Sequence, residues 1–410
     1  MNRIVLIGNG FDLAHGLPTR YEDFINWYWD QRVEGFRDTH SSITRDILCE
    51  FEIENPYLWM DFLKIRNIYE FSKGKEIIDN IINNKYRIKT RYSFSPFFGN
   101  IIKSIETKGW VDIENEYYRQ LTKCTIEGSL NQDAVKELNS QLNYITDLLV
   151  KYLESISKKK PNKIEAISDI IYSPIRQADV SIEGLNIVGE FVKDRIMKDS
   201  YISHKIKLYD LDEPSCRKDI KQAKEDLEKW GIKLTVPKIF MLPDFVYILN
   251  FNYTNTADSY DRLHLGRTIH IHGELQKRDS IIFGYGDELD EKYQQLQALN
   301  DNECLKNIKS IKYLESDNYR YVLRFLEDAP FQVLIMGHSC GNSDRTLLNT
   351  IFEHKNCISI KPYYYKNEKD GKDNYLDIVQ NISRNFTDMK LMRDRVVNKT
   401  FCEPLPQAKP

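Results

Sequence analysis

Two hydrophobic rhythms divide the chain. At both ends apolar residues come in short unbroken runs closed by glycine or polar turns, the pattern of strands buried on both faces. The first run covers residues 3–7 and ends in Gly8-Asn9-Gly10. After Pro243 the runs return at 245–251, 268–272, 281–283, 331–336 and 357–364. Helical spacing separates them. A short turn of helix is predicted at 11–15, closed by Gly16. A helix should start at Thr19, which has capping-box spacing to Glu22, with Tyr21, Phe24, Ile25 and Tyr28 as its apolar face. Further helices are predicted at 345–354, through Leu347, Leu348, Ile351 and Phe352, and at 374–386.

Between residues 33 and 240 strand signals nearly vanish and helical periodicity dominates. Val135, Leu138, Leu142, Ile145, Leu149, Tyr152 and Ile156 recur in alternating steps of three and four. That seam predicts one long helix over 133–156, packed within a helical bundle rather than in a dimeric coiled coil. The KKKPNK stretch at 158–163 breaks it as a solvated loop, and a charged helix follows at about 216–230. The alternation at the two ends predicts an α/β fold with a largely parallel sheet covered on both faces. One Rossmann-like domain is then split into residues 1–32 and 241–400, with a mostly α-helical insertion at 33–240 and a loose tail at 401–410.

Composition narrows the function. The 410 residues carry 58 Lys+Arg against 61 Asp+Glu, a net charge of −3, which rules out a polyanion binder acting through bulk charge. At 41% hydrophobic and 29% charged, the chain is a globular composition. No apolar run approaches the roughly 18 residues of a membrane span, and the first run is too short for a signal-peptide core. The 7 cysteines are odd in number and lie in no CxxC. A disulfide framework or structural zinc is therefore not expected, and a reducing cytoplasm fits.

The chemistry-bearing residues share a position. Gly8-Asn9-Gly10, Asn252-Tyr253, His272-Gly273 and Gly337-His338-Ser339 each stand at the carboxyl end of a predicted strand. Open α/β sheets bind ligands along that edge, at a switch point in strand order. Gly8-Asn9-Gly10 is half a dinucleotide fingerprint, whose glycines would admit a pyrophosphate; a plain strand-to-helix turn is nearly as good a reading. Asp12 could bind a ribose hydroxyl or favour the helix N-terminus. Asn252 could hold water or a ribose hydroxyl, or close a local Asx hydrogen bond. His270 and His272, two apart on a strand, share a face, and His272 could act as a general base while His270 reads as a core histidine. Ser339 and the loop to Asp344 could bind phosphate or ribose, with Ser343 or Asp344 as an N-cap in the simpler reading. Trp110 to Tyr118 begins a predicted helix whose acidic residues suit its dipole, and Glu114 could instead face the crevice. No GxxxxGKS, HExxH or paired-carboxylate motif occurs.

Taken together, IGNGFDLAHGLPTRYEDF, WVDIENEYY, LNFNYT, IHIHGEL, IIFGYGDE and IMGHSCGNSDRTLL resemble, in order, the blocks of the AbiH family of bacteriophage abortive-infection proteins. That family in turn looks distantly sirtuin-like. The resemblance implies a sirtuin-like Rossmann domain acting in phage defence. It makes Asn252 and His272 the catalytic pair, with Gly8, Asn9, Gly10, Asp12, Gly337, Ser339 and Asp344 holding nucleotide and Glu114 a contribution from the insertion. The implied reaction is hydrolysis of the N-glycosidic bond of NAD or a related nucleotide, as substrate rather than cofactor. The helical insertion would roof the crevice until a phage-encoded trigger is sensed. Thr254 stands where sirtuin-like hydrolases often carry Asp, and the sirtuin CxxC zinc ribbon is absent. Two rivals remain open: a non-catalytic nucleotide-binding sensor, and a toxin that transfers ADP-ribose to a macromolecule or attacks nucleic acid. A homo-oligomer is also open, and no membrane partner is expected.

Overall fold

The computed structural model describes residues 1–39, 43–53, 74–83, 90–108, 112–127, 129–158, 160–230 and 236–408. Its centre is a five-stranded, wholly parallel sheet built from β1 (Asn2–Ile7), β5 (Phe245–Asn250), β6 (Gly266–His270), β7 (Phe331–Met336) and β8 (Cys357–Tyr363). Strand order is β6-β5-β1-β7-β8. Chain order reverses across β1, the arrangement of a doubly wound sheet, so the switch point lies between β1 and β7. The N-terminal strand is therefore the central one, although its partners come only after residue 244.

Alternate residues of each strand face opposite layers. On one side Ile4, Leu6, Leu249, Val333 and Ile335 pack against Val322, Phe325, Leu347, Ile351 and Ile382, from the helices Asn318–Asp328, Arg345–Phe352 and Tyr375–Arg384. On the other, Val5, Ile7, Val246, Ile248 and Met336 meet Phe11, Ala14, Ile167 and Ile171, from the helices Asn9–Ala14 and Glu165–Tyr172. A separate core joins the helices Tyr21–Thr39, Gly74–Ile82, Pro96–Lys108, Ile113–Thr125 and Gln132–Ile156. The long seam is intramolecular: Val135, Leu142, Ile145 and Tyr152 are buried in that core beside Phe24, Tyr117 and Leu121. Phe283, Tyr285, Leu296 and Cys304, which follow β6, complete it, and so dock the helical region beside the carboxyl ends of the strands.

Several local expectations need correction. The stretch at 33–240 holds a small antiparallel sheet, β2 (Ile43–Arg45), β3 (Cys49–Ile53) and β4 (Thr90–Phe94), in the order β2-β3-β4. Residues 281–283 are not a strand; Ile282 N donates to the His272 carbonyl at 2.9 Å and no ladder continues. The second helix begins at Tyr21. Its capping carboxylate is Asp23, which accepts from Arg20 N at 3.1 Å, while the Thr19 hydroxyl bonds Asn9. The tail is not loose. Pro404 pairs with Tyr364, Leu405 is buried, Glu403 meets Arg176 and Lys361, and Ala408 N donates to Ala14 O at 2.7 Å. Trp110 and Val111 lie outside the described residues. Among the described residues no helix is long and apolar enough to cross a membrane.

Arg3, which sequence places within an apolar run, is 1% exposed near the start of β1. Its guanidinium donates to the carbonyls of Ile170 (3.1 Å), Ile171 (2.7 Å) and Ser173 (2.7 Å) and to Gln332 Oε1 (2.9 Å). A cation is thus seated on the orphan carbonyls that end the helix Glu165–Tyr172, tying that helix to the central strand. Burial lowers its pKa only to about 10, so it stays charged near neutrality. Arg3→Met should strand these acceptors and cost roughly 3 kcal/mol in denaturant unfolding; a loss below about 0.5 kcal/mol would show that the carbonyls find other partners.

Candidate functional site

The switch point is closed by backbone contact. Gly10 N donates to Gly337 O at 2.8 Å. A Cβ on Gly10 would lie 2.8 Å from Gly337 Cα, and one on Gly337, whose φ is +75°, would lie 2.1 Å from Phe11 N. These glycines are needed because two strand-end turns abut. In this structure it is the neighbouring turn that makes the close approach for which the sequence suggests a pyrophosphate. Asn252 belongs to the same junction, its amide donating to Gly8 O at 3.0 Å. Asp12 is 1% exposed and accepts from the Thr254 hydroxyl at 2.6 Å. Burial pushes its carboxyl up to about 6, against the hydroxyls of Thr254 and Thr256.

Beside this junction lies a buried ionic cluster. Lys309 is 0% exposed, and its Nζ donates to Glu114 Oε2 and to Asp344 Oδ1, each at 2.8 Å. Asp344 Oδ1 also lies 3.2 Å from His272 Nε2, and Asp344 Oδ2 lies 3.6 Å from His338 Nε2. Tyr313 OH is 3.1 Å from His272 Nε2. Phe251 fills the space between the imidazoles, its ring centroid 5.1 Å from that of His272 and 4.1 Å from that of His338. Asn252 therefore borders the cluster through its neighbour Phe251.

Each member arrives on a different element. Asp112 caps the helix Ile113–Thr125 by accepting from Asn115 N, and the first turn aims Glu114 inward, where Oε1 accepts from Gly284 N at 3.1 Å. The first-turn acids thus divide their work: Glu116, also buried, pairs with the exposed Arg119. Lys309 is positioned by its own backbone, which donates to Tyr285 O at 2.9 Å. The preceding Asn307 donates to Asn139 Oδ1 at 3.1 Å within the helical core. His272 sits in the turn after β6, and His338 in the turn after β7. His270 has separate partners, Asp258 at 2.9 Å and Asn250 at 3.3 Å. Ser339 is exposed, its carbonyl accepting from Asn381. Lys309, His338 and Tyr313 carry no motif signal of their own. His338 lies inside the Gly-His-Ser block, whose serine is the more obvious ligand for a phosphate or ribose.

The electrostatics follow from three charges in a dry space. Burial opposes the Lys309 ammonium, but Asp344 and Glu114 outweigh it and raise its pKa above the usual range. Burial likewise opposes the Asp344 carboxylate, yet Lys309, His272 and His338 hold it well below the usual range. One ammonium neutralises one carboxylate, so the second bears the imbalance. Burial raises Glu114 to about 7, with Asp344 and Asp112 adding to it against Lys309. Burial lowers His272 to about 4, helped by Lys309, so it is neutral near pH 7. The phenols of Tyr21, Tyr253 and Tyr313 are pushed well above their ordinary value by burial and by these carboxylates.

Glu114 gives the cluster a measurable signature. In the unfolded chain it ionises near 4.5, whereas in the native state it keeps its proton to about 7. The native state binds more protons across that window, so this group's contribution falls as pH rises through it. His272 contributes in the opposite sense between its lowered and ordinary values, equally in wild type and variant. The stability of Glu114→Gln relative to wild type should therefore rise, by on the order of 1–3 kcal/mol, from about pH 5 to about pH 8. A flat difference in urea unfolding across that range would mean that Glu114 ionises as an ordinary carboxylate.

The family model described as "Bacteriophage abortive infection AbiH" matches residues 4–365. No curated protein and no solved structure matched the chain. The matched span takes in four strands of the parallel sheet, most of β1 and every member of the buried cluster. The chain belongs to the AbiH family of bacteriophage abortive-infection proteins.

Proposed function

We propose that this protein acts in abortive infection by hydrolysing the N-glycosidic bond of NAD or a related nucleotide, on a Rossmann-like, sirtuin-like sheet edge. The observation that carries the reading is the neutral, buried His272 at the carboxyl edge of a doubly wound sheet, beside the Asn252 junction at the switch point. Nicotinamide leaves as a neutral pyridine, so the transition state is oxocarbenium-like at the ribose C1′. Asn252, its amide N–H engaged by Gly8 O, would present its oxygen to orient water. That water adds to C1′ and its proton passes to His272 as general base. Gly8, Asn9, Gly10, Asp12, Gly337 and Ser339 are the proposed nucleotide-side residues, and Glu114 the contribution from the helical region at 33–240. The protein would work in the cytoplasm and respond to a phage-encoded trigger.

A second reading is a nucleotide sensor without turnover. It is favoured by the completeness of the cluster: Lys309, Glu114 and Asp344 already satisfy one another. Chromatography of nicotinamide after incubation with NAD separates the two. Under the hydrolase reading, His272→Gln and Asn252→Ala each lose at least about 10²-fold in nicotinamide release. They also lose plaque protection and the fall of cellular NAD during phage challenge, with melting temperatures near wild type. Their double variant is little worse than either single, because residues acting as a unit are non-additive. A stable His272→Gln protein that still protects at wild-type level ends the hydrolase reading.

A further inference from the structure

We infer that Asp344 is a positioning residue that fixes His272 in its Nε2–H tautomer, leaving Nδ1 as the ring's proton acceptor, with Lys309 holding Asp344 in place. The assignment of a base role to His272 rests on the hydrolase reading above; the tautomer does not.

The argument is geometric. Asp344 Oδ1 lies 3.2 Å from His272 Nε2, and a carboxylate oxygen at that distance needs a hydrogen on the nitrogen, since a lone pair would face an anion. Tyr313 OH, 3.1 Å from the same nitrogen, then accepts from that N–H or lies beside it. The opposite tautomer would let Tyr313 donate to Nε2 but would set that nitrogen's lone pair against Asp344. Both groups are nearly dry, His272 at 4% exposed and Asp344 at 8%, so solvent does little to screen the conflict.

His338 argues the same way from the other oxygen. Cys340 N donates to His338 Nδ1 at 3.0 Å, which makes Nδ1 an acceptor and leaves the proton on Nε2, the nitrogen facing Asp344 Oδ2 at 3.6 Å. Asp344 is thus flanked by two imidazole N–H groups, one toward each oxygen, while Lys309 donates to Oδ1 at 2.8 Å. The three donors define one orientation of the carboxylate, and that orientation defines one tautomer of His272. When His272 accepts a proton at Nδ1, Asp344 is already placed to stabilise the imidazolium.

Histidine tautomers are assigned from hydrogen-bond networks and can be measured directly. Two-bond proton–nitrogen correlation on histidine-labelled protein, with His272→Gln identifying the signal, should show one neutral tautomer protonated at Nε2. A ring protonated at Nδ1, or a mixed population, overturns the assignment without any variant having to fold. Asp344→Asn keeps an acceptor oxygen but not the charge. It should lower kcat for nicotinamide release by roughly 10²-fold while KM stays near wild type. Wild-type kcat in a folded Asp344→Asn protein would also overturn the assignment. If wild type releases no nicotinamide from NAD, the hydrolase reading fails, and the tautomer measurement alone decides the role of Asp344.

Discussion

A lysine ammonium buried to 0% exposure is the constraint on which the architecture turns. Stripping an ammonium of water costs several kcal/mol unless fixed charges replace the lost solvation. Lys309 obtains that replacement from Glu114 and Asp344, which lie far from it in sequence. Satisfying it requires the helix Ile113–Thr125 to be seated, the loop before the helix Arg345–Phe352 to be folded inward, and the 284–286 turn to hold Lys309 from behind. Tyr285 O and Gly284 N supply that last support, one to the lysine backbone and one to Glu114. Removing Lys309 would leave two buried carboxyls without a cation, and removing Asp344 would take from the ammonium its anionic partner, so the helical region and the sheet edge are energetically joined at one residue.

The same lysine explains why the neighbouring groups differ in character. Two carboxylates compete for one ammonium, and geometry decides the outcome. Asp344 has Lys309 and two imidazole nitrogens around it, whereas Glu114 has Lys309 and a backbone N–H. The negative charge settles on Asp344, and Glu114 is driven toward its neutral form. His272 faces a cation as well as an anion and lies in a dry space, so it stays neutral. A single buried charge thus yields an anionic carboxylate, a carboxyl titrating near 7 and a neutral imidazole within one cluster.

What is legible in the sequence follows the range of each signal. The parallel strands are readable because apolar runs too short for a helix, bounded by turns, suit strands buried on both faces. The long helix is readable because its seam repeats through Val135, Leu142 and Leu149. β2, β3 and β4 are not, since Cys49, Phe51 and Ile53 alternate with Glu50 and Glu52 over only five residues. Arg3 is absorbed into an apolar run because its partners are mostly backbone carbonyls, which have no sequence signature. The tail reads as loose for the same reason: its pairing with Tyr364 and Ala14 is main-chain. The site is half legible. His272, Glu114 and Asp344 stand out by position, but Lys309 lies in an ordinary charged stretch, and only the fold brings it within 2.8 Å of both carboxylates. The glycines at 8 and 10 suggest a phosphate, yet the contact they permit here is with Gly337 and His338.

The lysine also limits how the helical region and the sheet edge could move apart. Lys309 does not move alone, because Asn307, two residues before it, is bonded to Asn139 in the long helix, and Asn139 is bonded in turn to Tyr117. Tyr117 lies one turn beyond Glu114 on the same helix. A displacement of that helix away from the sheet would carry Glu114 with it and strain the Asn139 junction at the same time. Asp344 and the two histidines would remain behind on the sheet. The ammonium would then have to choose one carboxylate, and either choice leaves the other unpaired unless it takes a proton. Glu114, already held close to neutrality, can take that proton at little cost, whereas Asp344 cannot. The helix side is accordingly where this cluster can be opened, and the sheet side, with Asp344 and His272, is where it stays fixed.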